Sequence, residues 1–251
     1  MLRSLLGTAR RFYRGLPYFA KATRFGWHYP LERHTYPDRA TQSPLEVYFD
    51  GVDEGPGIWK WRHYFDIYHR HFQRFVGHEV HVVEIGIYSG GSLPMWRTYF
   101  GPKCRVYGVD IEPACQVYAN PHTEVFIGDQ ADRAFWQRFR EAVPRVDIVI
   151  DDGGHRPEQQ QITLEELLPH IQPGGVYFCE DIVGFHNPFW GYASGLAHLL
   201  SSSTPEPTAL QSAVNSIHVY PFVTVIEKNE YSVPAFESTK RGTQWQPFGL
   251  R

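Results

Sequence analysis

From residue 81 onward, short and nearly unbroken apolar runs alternate with longer segments whose apolar positions recur every three or four residues. HVVEIG (81–86), CRVYGVD (104–110), TEVFIGD (123–129), VDIVIDD (146–152) and GVYFCED (175–181) read as strands. Residues 92–100, 131–143 and 157–170 read as the helices between them, with a short connection after the second strand. Such alternation implies right-handed strand–helix–strand units and a parallel sheet covered by helices on both faces. The apolar runs VVEIG and VDIVI suit strands buried on both sides. Near the end, SIHVYPFVTVIEK (216–228) reads as two strands about a tight Pro221-Phe222 turn, an antiparallel pair that closes one sheet edge.

Ahead of this α/β domain the pattern is different. Residues 58–76 carry apolar residues at helical spacing and read as a helix feeding the domain, which is expected to span 58–251 behind an arm or cap at 1–57. Leu2, Leu5, Leu6, Ala9, Tyr13 and Leu16 predict an amphipathic helix ending near Pro17. That stretch is basic, with Arg3, Arg10, Arg11, Arg14, Lys21 and Arg24 and no acid before Glu32. Packing on its own domain or on a sister subunit is the favoured reading, and contact with a membrane surface the lesser one. Residues 182–211, rich in Gly, Pro, Ser and aromatics, break the alternation and read as a substrate lid loop.

Composition narrows the function classes. Hydrophobic residues at 42% and charged residues at 20% describe a folded globular chain rather than a disordered one. A net charge of −3 offers no global basic field, so nucleic acid is not the expected partner. Cys104, Cys115 and Cys179 are too scattered for a disulfide framework or a zinc site, and no apolar run is long enough to cross a bilayer. A cytoplasmic homo-oligomer is the expectation. Aromatics at 16% exceed what a core alone needs and suit a pocket with ring-lined walls.

Chemistry gathers where the strands end, which is where open α/β sheets bind ligands. The first strand runs into Glu84-Ile85-Gly86-Ile87-Tyr88-Ser89-Gly90-Gly91. Its glycines allow close backbone approach, but Tyr88 breaks the G-x-G-x-x-G of dinucleotide enzymes and disfavours a pyrophosphate ligand. Asp110 ends the second strand, where a carboxylate can accept from ribose hydroxyls; a helix-capping role is the plainer alternative. Asp129 or Gln130, after the third strand, could face an adenine edge. The pattern E-x-G-x-x-x-G-G, then V-D, then G-D resembles the class I S-adenosylmethionine-dependent methyltransferases over roughly residues 58–182. The resemblance implies a Rossmann-like, doubly wound, seven-stranded sheet, mostly parallel with a C-terminal antiparallel hairpin. It places Glu84 and Gly86 at the methionine part of the cofactor, Asp110 at the ribose and Asp129 or Gln130 at the adenine. Ser89, Gly90 and Asp151 complete the expected cofactor set.

The fourth strand ends in Asp151-Asp152-Gly153-Gly154-His155 and the fifth in Glu180-Asp181. Carboxylates crowded at one sheet edge repel one another unless a cation sits between them, and Mg²⁺ accepts a few carboxylates plus water and substrate oxygens. His155 stands near enough to remove a proton from a metal-held hydroxyl. D-D-G-x-H followed by E-D resembles the metal-dependent O-methyltransferases of macrolide sugars, alongside cephalosporin-hydroxylase-like proteins. That resemblance implies Asp152, Glu180 and Asp181 as Mg²⁺ ligands and His155 as general base, with a hydroxylated sugar or glycoside as acceptor. Gly154 stands where the family commonly has Ser, and Val183 where it often has His; the next His is His186. Phe189, Trp190 and Tyr192 are equally suited to stacking on a sugar and to core packing. Trp59, Lys60 and Trp61 fit a helix packed on the sheet better than a pocket border. A catechol-type acceptor, a nicotinamide oxidoreductase and a catalytically silent binding module are the competing readings; clustered acids and the missing G-x-G-x-x-G speak against the second, and an intact acid triad against the third.

Overall fold

The structure, a computed structural model, describes residues 2–29, 41–183 and 187–242. It falls into two compact units, Met1–Gln42 and Ser43–Arg251. Among the described residues the first holds one helix, α1 (Leu2–Trp27), which continues through Pro17. A proline forfeits one backbone hydrogen bond without having to end a helix. The expected break near residue 17 is therefore absent.

The second unit begins earlier than the sequence pattern suggested. Pro44–Asp50 forms α2, capped by the Ser43 side chain, and its Leu45 is fully buried, so this part of the expected arm is core. Helix α3 (Tyr64–Phe72) is shorter than predicted and continues into a 3-10 turn at Gln73–Phe75. Residues 58–61, expected to be helical, are not.

The strands follow the predicted order: β1 (Val80–Ile85), β2 (Cys104–Asp110), β3 (Thr123–Ile127), β4 (Val146–Asp151), β5 (Ile171–Cys179), β6 (Val214–Tyr220) and β7 (Val223–Lys228). They form a seven-stranded sheet in the order β3-β2-β1-β4-β5-β7-β6. Pairings from β3 through β5 are parallel, and those of β5 with β7 and β7 with β6 are antiparallel. The hairpin turns at Phe222, whose φ of 65° is left-handed. Helices α4 (Ser92–Phe100), α5 (Arg133–Ala142) and α6 (Pro157–Leu167) lie between strands as anticipated. The expected lid is largely helical instead, with α7 (Phe189–Leu200) and α8 (Ala209–Ala213); His186 lies outside the described residues.

Successive strand residues point to opposite faces, so one run feeds two cores. Val80, Val82, Ile148, Ile150, Val176 and Phe178 join Tyr68, Phe72 and Trp96 on one side. Val83, Ile85, Val149, Tyr177 and Cys179 join Trp136, Phe139 and Leu167 on the other. This parity decides which acids at the strand ends meet. The order reverses between β1 and β4, and there the carboxyl ends of the strands diverge to leave room for a ligand.

Candidate active site

A cavity of about 590 Å³ opens at that switch point, lined by the loop after β1, the ends of β2 to β5 and residues 57–61. Gly86 has φ +81°, and a Cβ there would sit 2.1 Å from the Asp152 carbonyl oxygen. Only glycine lets the β1 and β4 loops close on each other at this point. Ser89 lines the cavity, whereas Gly90 (φ +73°) does not; a Cβ on it would meet the Tyr118 ring at 2.7 Å. Gly90 thus shapes the turn into α4.

Asp110 lines the cavity and accepts from the backbone N–H of Tyr88 (3.0 Å) and Glu112 (2.9 Å), tying the β1 and β2 loops together. Asp129 also lines it and accepts from Ala131 N–H at 2.8 Å. The Gln130 amide is committed to protein partners. It donates to Asp151 Oδ1 (3.0 Å) and Thr163 Oγ1 (3.1 Å) and accepts from Gly154 N–H (2.7 Å). Of the two residues considered for an adenine edge, Asp129 retains the exposure for it.

Asp151 is not brought to the cavity. It shares the face of Val149 and Cys179, is 1% exposed, and accepts from Tyr177 Oη at 2.9 Å. Burial, opposed by the Tyr177 and Gln130 hydrogen bonds, pushes its carboxyl up to about 6. Its expected place beside the cofactor gives way to a structural one because the two-residue strand period sends Asp151 and Asp152 to opposite sides.

Glu84, Asp152 and Glu180 do converge, around a cation the sequence pattern gave no reason to expect. Lys60 Nζ, whose side chain is 3% exposed, lies 2.6 Å from Asp152 Oδ2, 3.2 Å from Glu180 Oε2 and 3.5 Å from Glu84 Oε1. Burial works against the ammonium, but these carboxylates outweigh it and hold its pKa well above the ordinary lysine range. Burial pushes Glu180 and Glu84 up, with Lys60 pulling both back. Glu180 Oε1 accepts from Tyr68 Oη at 2.5 Å, and Glu84 Oε2 from Ser92 Oγ at 2.7 Å. Glu84 Oε1 is buried with no hydrogen bond; the Lys60 ammonium faces it at ion-pair distance only.

Asp181 takes a separate set of donors. Its Oδ1 accepts from Tyr64 Oη (2.6 Å) and Trp61 Nε1 (3.1 Å), leaving Oδ2 directed toward His155 Nε2 at 3.6 Å. Asp152 Oδ1 lies 3.9 Å from the same nitrogen. Asp152, His155 and Asp181 each present a ligand atom within 4.8 Å of the others. The two carboxylate oxygens are donors that suit a hard dication, whereas the imidazole beside them is not a preferred ligand of one. Of the expected triad, Asp152 and Asp181 open toward this space and Glu180 is turned to Lys60 and Tyr68. His155 (φ 53°) and Asp181 (φ 53°) both have left-handed backbones, which cost energy and concentrate at functional sites.

Four residues position its acids: Lys60 and Trp61, for which the sequence favoured helix packing over a pocket border, and Tyr64 and Tyr68, which it did not single out. The two tyrosines, four apart on α3, reach Asp181 and Glu180 from one helix face. Trp59 (88% exposed) and Trp61 (53% exposed) stand on the cavity rim, against the expectation that they pack in a helix. Phe189 is in the core, and Tyr192 stacks on it at 5.7 Å and donates to Glu165. Trp190 is absent from the cavity wall, so the ring-lined side comes from Trp59, Trp61 and Tyr64, ahead of β1, rather than from the 182–211 segment.

Residues 83–182 match the methyltransferase-domain family. The chain is 34% identical over 210 residues to the 8-demethyl-8-(2-methoxy-alpha-L-rhamnosyl)-tetracenomycin-C 3'-O-methyltransferase of Streptomyces olivaceus, an alignment covering 72% of this chain and 53% of that one. It is 33% identical over 157 residues to the mycinamicin VI 2''-O-methyltransferase of Micromonospora griseorubida, covering 60% of this chain and 38% of that one. Among solved structures, the MycE methyltransferase from the mycinamycin biosynthetic pathway in complex with Mg and SAH superposes with a TM-score of 0.62 at 29% identity, covering 74% of this chain and 54% of the other. The chain spans about half the length of the first of these curated relatives and about two fifths of the second. The sheet order, the switch-point cavity and these likenesses agree: residues 83–182 are a methyltransferase domain on the class I fold, homologous to sugar and macrolide O-methyltransferases.

Proposed function

We propose that the protein is a Mg²⁺-dependent, S-adenosylmethionine-dependent O-methyltransferase whose acceptor is a hydroxyl of a saccharide or glycosylated small molecule. The observation that carries this reading is the convergence of Asp152, His155 and Asp181 at the mouth of the switch-point cavity. The cofactor would lie along the β1 loop, with its ribose at Asp110, its adenine near Asp129 and its methionine part near Gly86 and Ser89. Asp152 and Asp181 would hold the ion, and Glu180 would join them by exchanging its Lys60 partner. Bound there, a hard dication lowers the pKa of a coordinated hydroxyl and orients it.

The chain's own residues account for the rest of the chemistry. The acceptor oxygen attacks the sulfonium methyl carbon in line. The carbon–sulfur bond breaks with its electron pair going to sulfur, which leaves S-adenosylhomocysteine. The hydroxyl proton would pass to His155 Nε2, which lies 3.9 Å from Asp152 Oδ1 and 3.6 Å from Asp181 Oδ2. Trp59 and Trp61 on the rim offer flat faces for a sugar ring. MycE in complex with Mg and SAH, and the related rhamnosyl methyltransferases, support both cofactor and acceptor class. The test is transfer of labelled methyl from S-adenosylmethionine to a panel of glycosides and catechols, with Mg²⁺ or with EDTA. Labelling of glycosides that EDTA abolishes is the expected result; labelling that persists in EDTA, or confined to catechols, overturns the metal or the acceptor assignment respectively.

A further inference from the structure

His155 and Asp181 face each other with left-handed backbones, each at φ 53°. Residues other than glycine keep such conformations only where their surroundings over-determine them. At Asp181 the determining contacts grip the peptide unit ahead of it, whose tilt sets its φ. The Glu180 carbonyl accepts from Gln160 Nε2 at 3.0 Å, and the Asp181 N–H donates to Tyr64 Oη at 3.3 Å. The unit that follows His155, whose tilt sets its ψ, is gripped in the same way. The His155 carbonyl accepts from Asn187 Nδ2 at 3.1 Å, and the Arg156 N–H donates to Gln159 Oε1 at 3.3 Å. The two carbonyl anchors are joined to each other, because Asn187 Nδ2 also donates to Gln160 Oε1 at 2.7 Å. A bridge of two side-chain amides thus runs from the His155 carbonyl to the Glu180 carbonyl.

The bridge is buried, with Gln160 0% and Asn187 5% exposed, so its hydrogen bonds are shielded from water and costly to leave unmade. Its direction is fixed by its ends. A carbonyl at Glu180 demands an N–H of Gln160, which turns Gln160 Oε1 toward Asn187. A carbonyl at His155 demands an N–H of Asn187, which leaves Asn187 Oδ1 to accept from the Phe189 N–H at 2.9 Å. Phe189 is the first residue of α7, so the segment after β5 supports the site through Asn187 even though Trp190 stays off the cavity wall. We propose that Gln160 and Asn187 are positioning residues whose bridge fixes the separation of His155 from Asp181, and with it the grip of the site on a divalent ion. This rests on the reading of Asp152 and Asp181 as ion ligands given above. Hydrogen bonds that orient ligands from outside set the affinity of metal sites, and here they act on the backbone that carries Asp181 Oδ2 to within 3.6 Å of His155 Nε2. Gly86, Ser89 and Asp110, on the cofactor side of the cavity, lie outside the bridge.

The test is Mn²⁺ affinity of the full chain, read from the electron paramagnetic resonance of the free ion, beside S-adenosylhomocysteine affinity by calorimetry. Gln160→Met and Asn187→Leu keep the size of each side chain and remove its amide. Each should weaken Mn²⁺ binding about 10–100-fold, the usual loss when an outer support of a metal ligand is removed, and leave S-adenosylhomocysteine binding unchanged. The double variant should lose no more than the larger single loss, because a bridge broken at one link is already broken. It also clears both polar groups together, whereas Asn187→Leu alone strands Gln160 Oε1, so it reports even where that single variant does not fold. Glu227→Gln, which loosens the fold away from the site, should keep the wild-type Mn²⁺ affinity and so separates lost position from lost stability. Folded variants with wild-type Mn²⁺ affinity overturn the bridge and leave the ion site standing. Losses that add in the double variant, or that fall equally on S-adenosylhomocysteine, overturn it as well. A wild-type chain that binds no Mn²⁺ overturns the ion reading itself, and the bridge with it.

Discussion

Two clusters of ionisable groups flank α3, and they are built on opposite principles. At the strand ends, Glu84, Asp152 and Glu180 share one ammonium, that of Lys60, and Asp181 has only neutral donors within hydrogen-bond distance. Across the hairpin, a single carboxylate is served several times over: Glu227 Oε1 meets His71 Nδ1 at 2.9 Å and Arg74 Nη1 at 2.8 Å, and Glu227 Oε2 meets His218 Nε2 at 3.7 Å. Both clusters offer three ligand atoms within metal-binding reach of one another. The difference lies in charge. The first sets four carboxylates against one ammonium, the shortage that the proposed dication would answer. The second is already neutralised and acts as a clip between α3 and the β6–β7 pair.

The largest effect expected from that contrast is on catalysis. Asp152→Ala or Asp181→Ala should lower methyl transfer in saturating Mg²⁺ by about 10³-fold or more, because each would remove a proposed oxygen ligand of the ion while leaving the β1 loop proposed for the cofactor. Single-turnover labelling beside S-adenosylhomocysteine binding checks it; parallel loss of cofactor binding would assign these acids to the cofactor instead. His155→Ala should cost ~10²–10⁴-fold, as loss of a positioned base does. Recovery at high pH, where the acceptor hydroxyl ionises unaided, distinguishes a base from a residue that merely shapes the turn; a loss under tenfold rules the base out.

Next comes Lys60, where the contrast between clusters is sharpest. Lys60→Met leaves Glu84 and Glu180 buried without their cation, a change that costs about 3–5 kcal/mol when a buried pair is broken. Protonation of the orphaned acids reduces that cost at low pH. If the first cluster is short of positive charge, Mg²⁺ should raise the melting temperature of the variant more than that of the wild type. An equal shift in both would mean the lysine and the ion do not answer the same carboxylates.

How much of this was legible beforehand follows from the range of each interaction. The five parallel strands, the hairpin and the helices between them rest on local periodicity, and they appear within a few residues of where the pattern puts them. Asp152, His155 and Asp181 come together because adjacent strand ends must, and adjacency follows from chain order in such a fold. Lys60 was out of reach for a different reason. Residues 57–61 have no regular structure, and Lys60 touches acids 92 and 120 positions away. No spacing records such a contact. Asp151 was misplaced by counting acids at an edge without applying the strand period, which was visible in VDIVIDD and separates it from Asp152. The 182–211 segment shows the limit of composition: its glycines and serines read as a loop, yet α7 buries Phe189 and Ala193 against the domain.

The smallest effect belongs to the satisfied cluster, and its pH dependence is the cleanest test of the comparison. Burial opposes ionisation of Glu227, but hydrogen bonds from His71 and Arg74 outweigh it and hold the carboxyl at about 2, below its ordinary 4.5. A carboxylate depressed in the folded state binds its proton more weakly there than when unfolded. Its contribution is therefore complete above pH 4.5 and disappears as pH falls through about 2. Glu227→Gln should cost about 1 kcal/mol at neutral pH, the scale for a partly exposed charged group losing its ionic hydrogen bonds. Urea denaturation at pH 7 and at successively lower pH should show wild type and variant converging across that window. The gap should also be indifferent to Mg²⁺, because Arg74 already balances the charge of Glu227 while His71 and His218 occupy the space beside it. A gap that persists at the acid end would mean the glutamate acts by packing, and a gap that Mg²⁺ widens would make the two clusters alike.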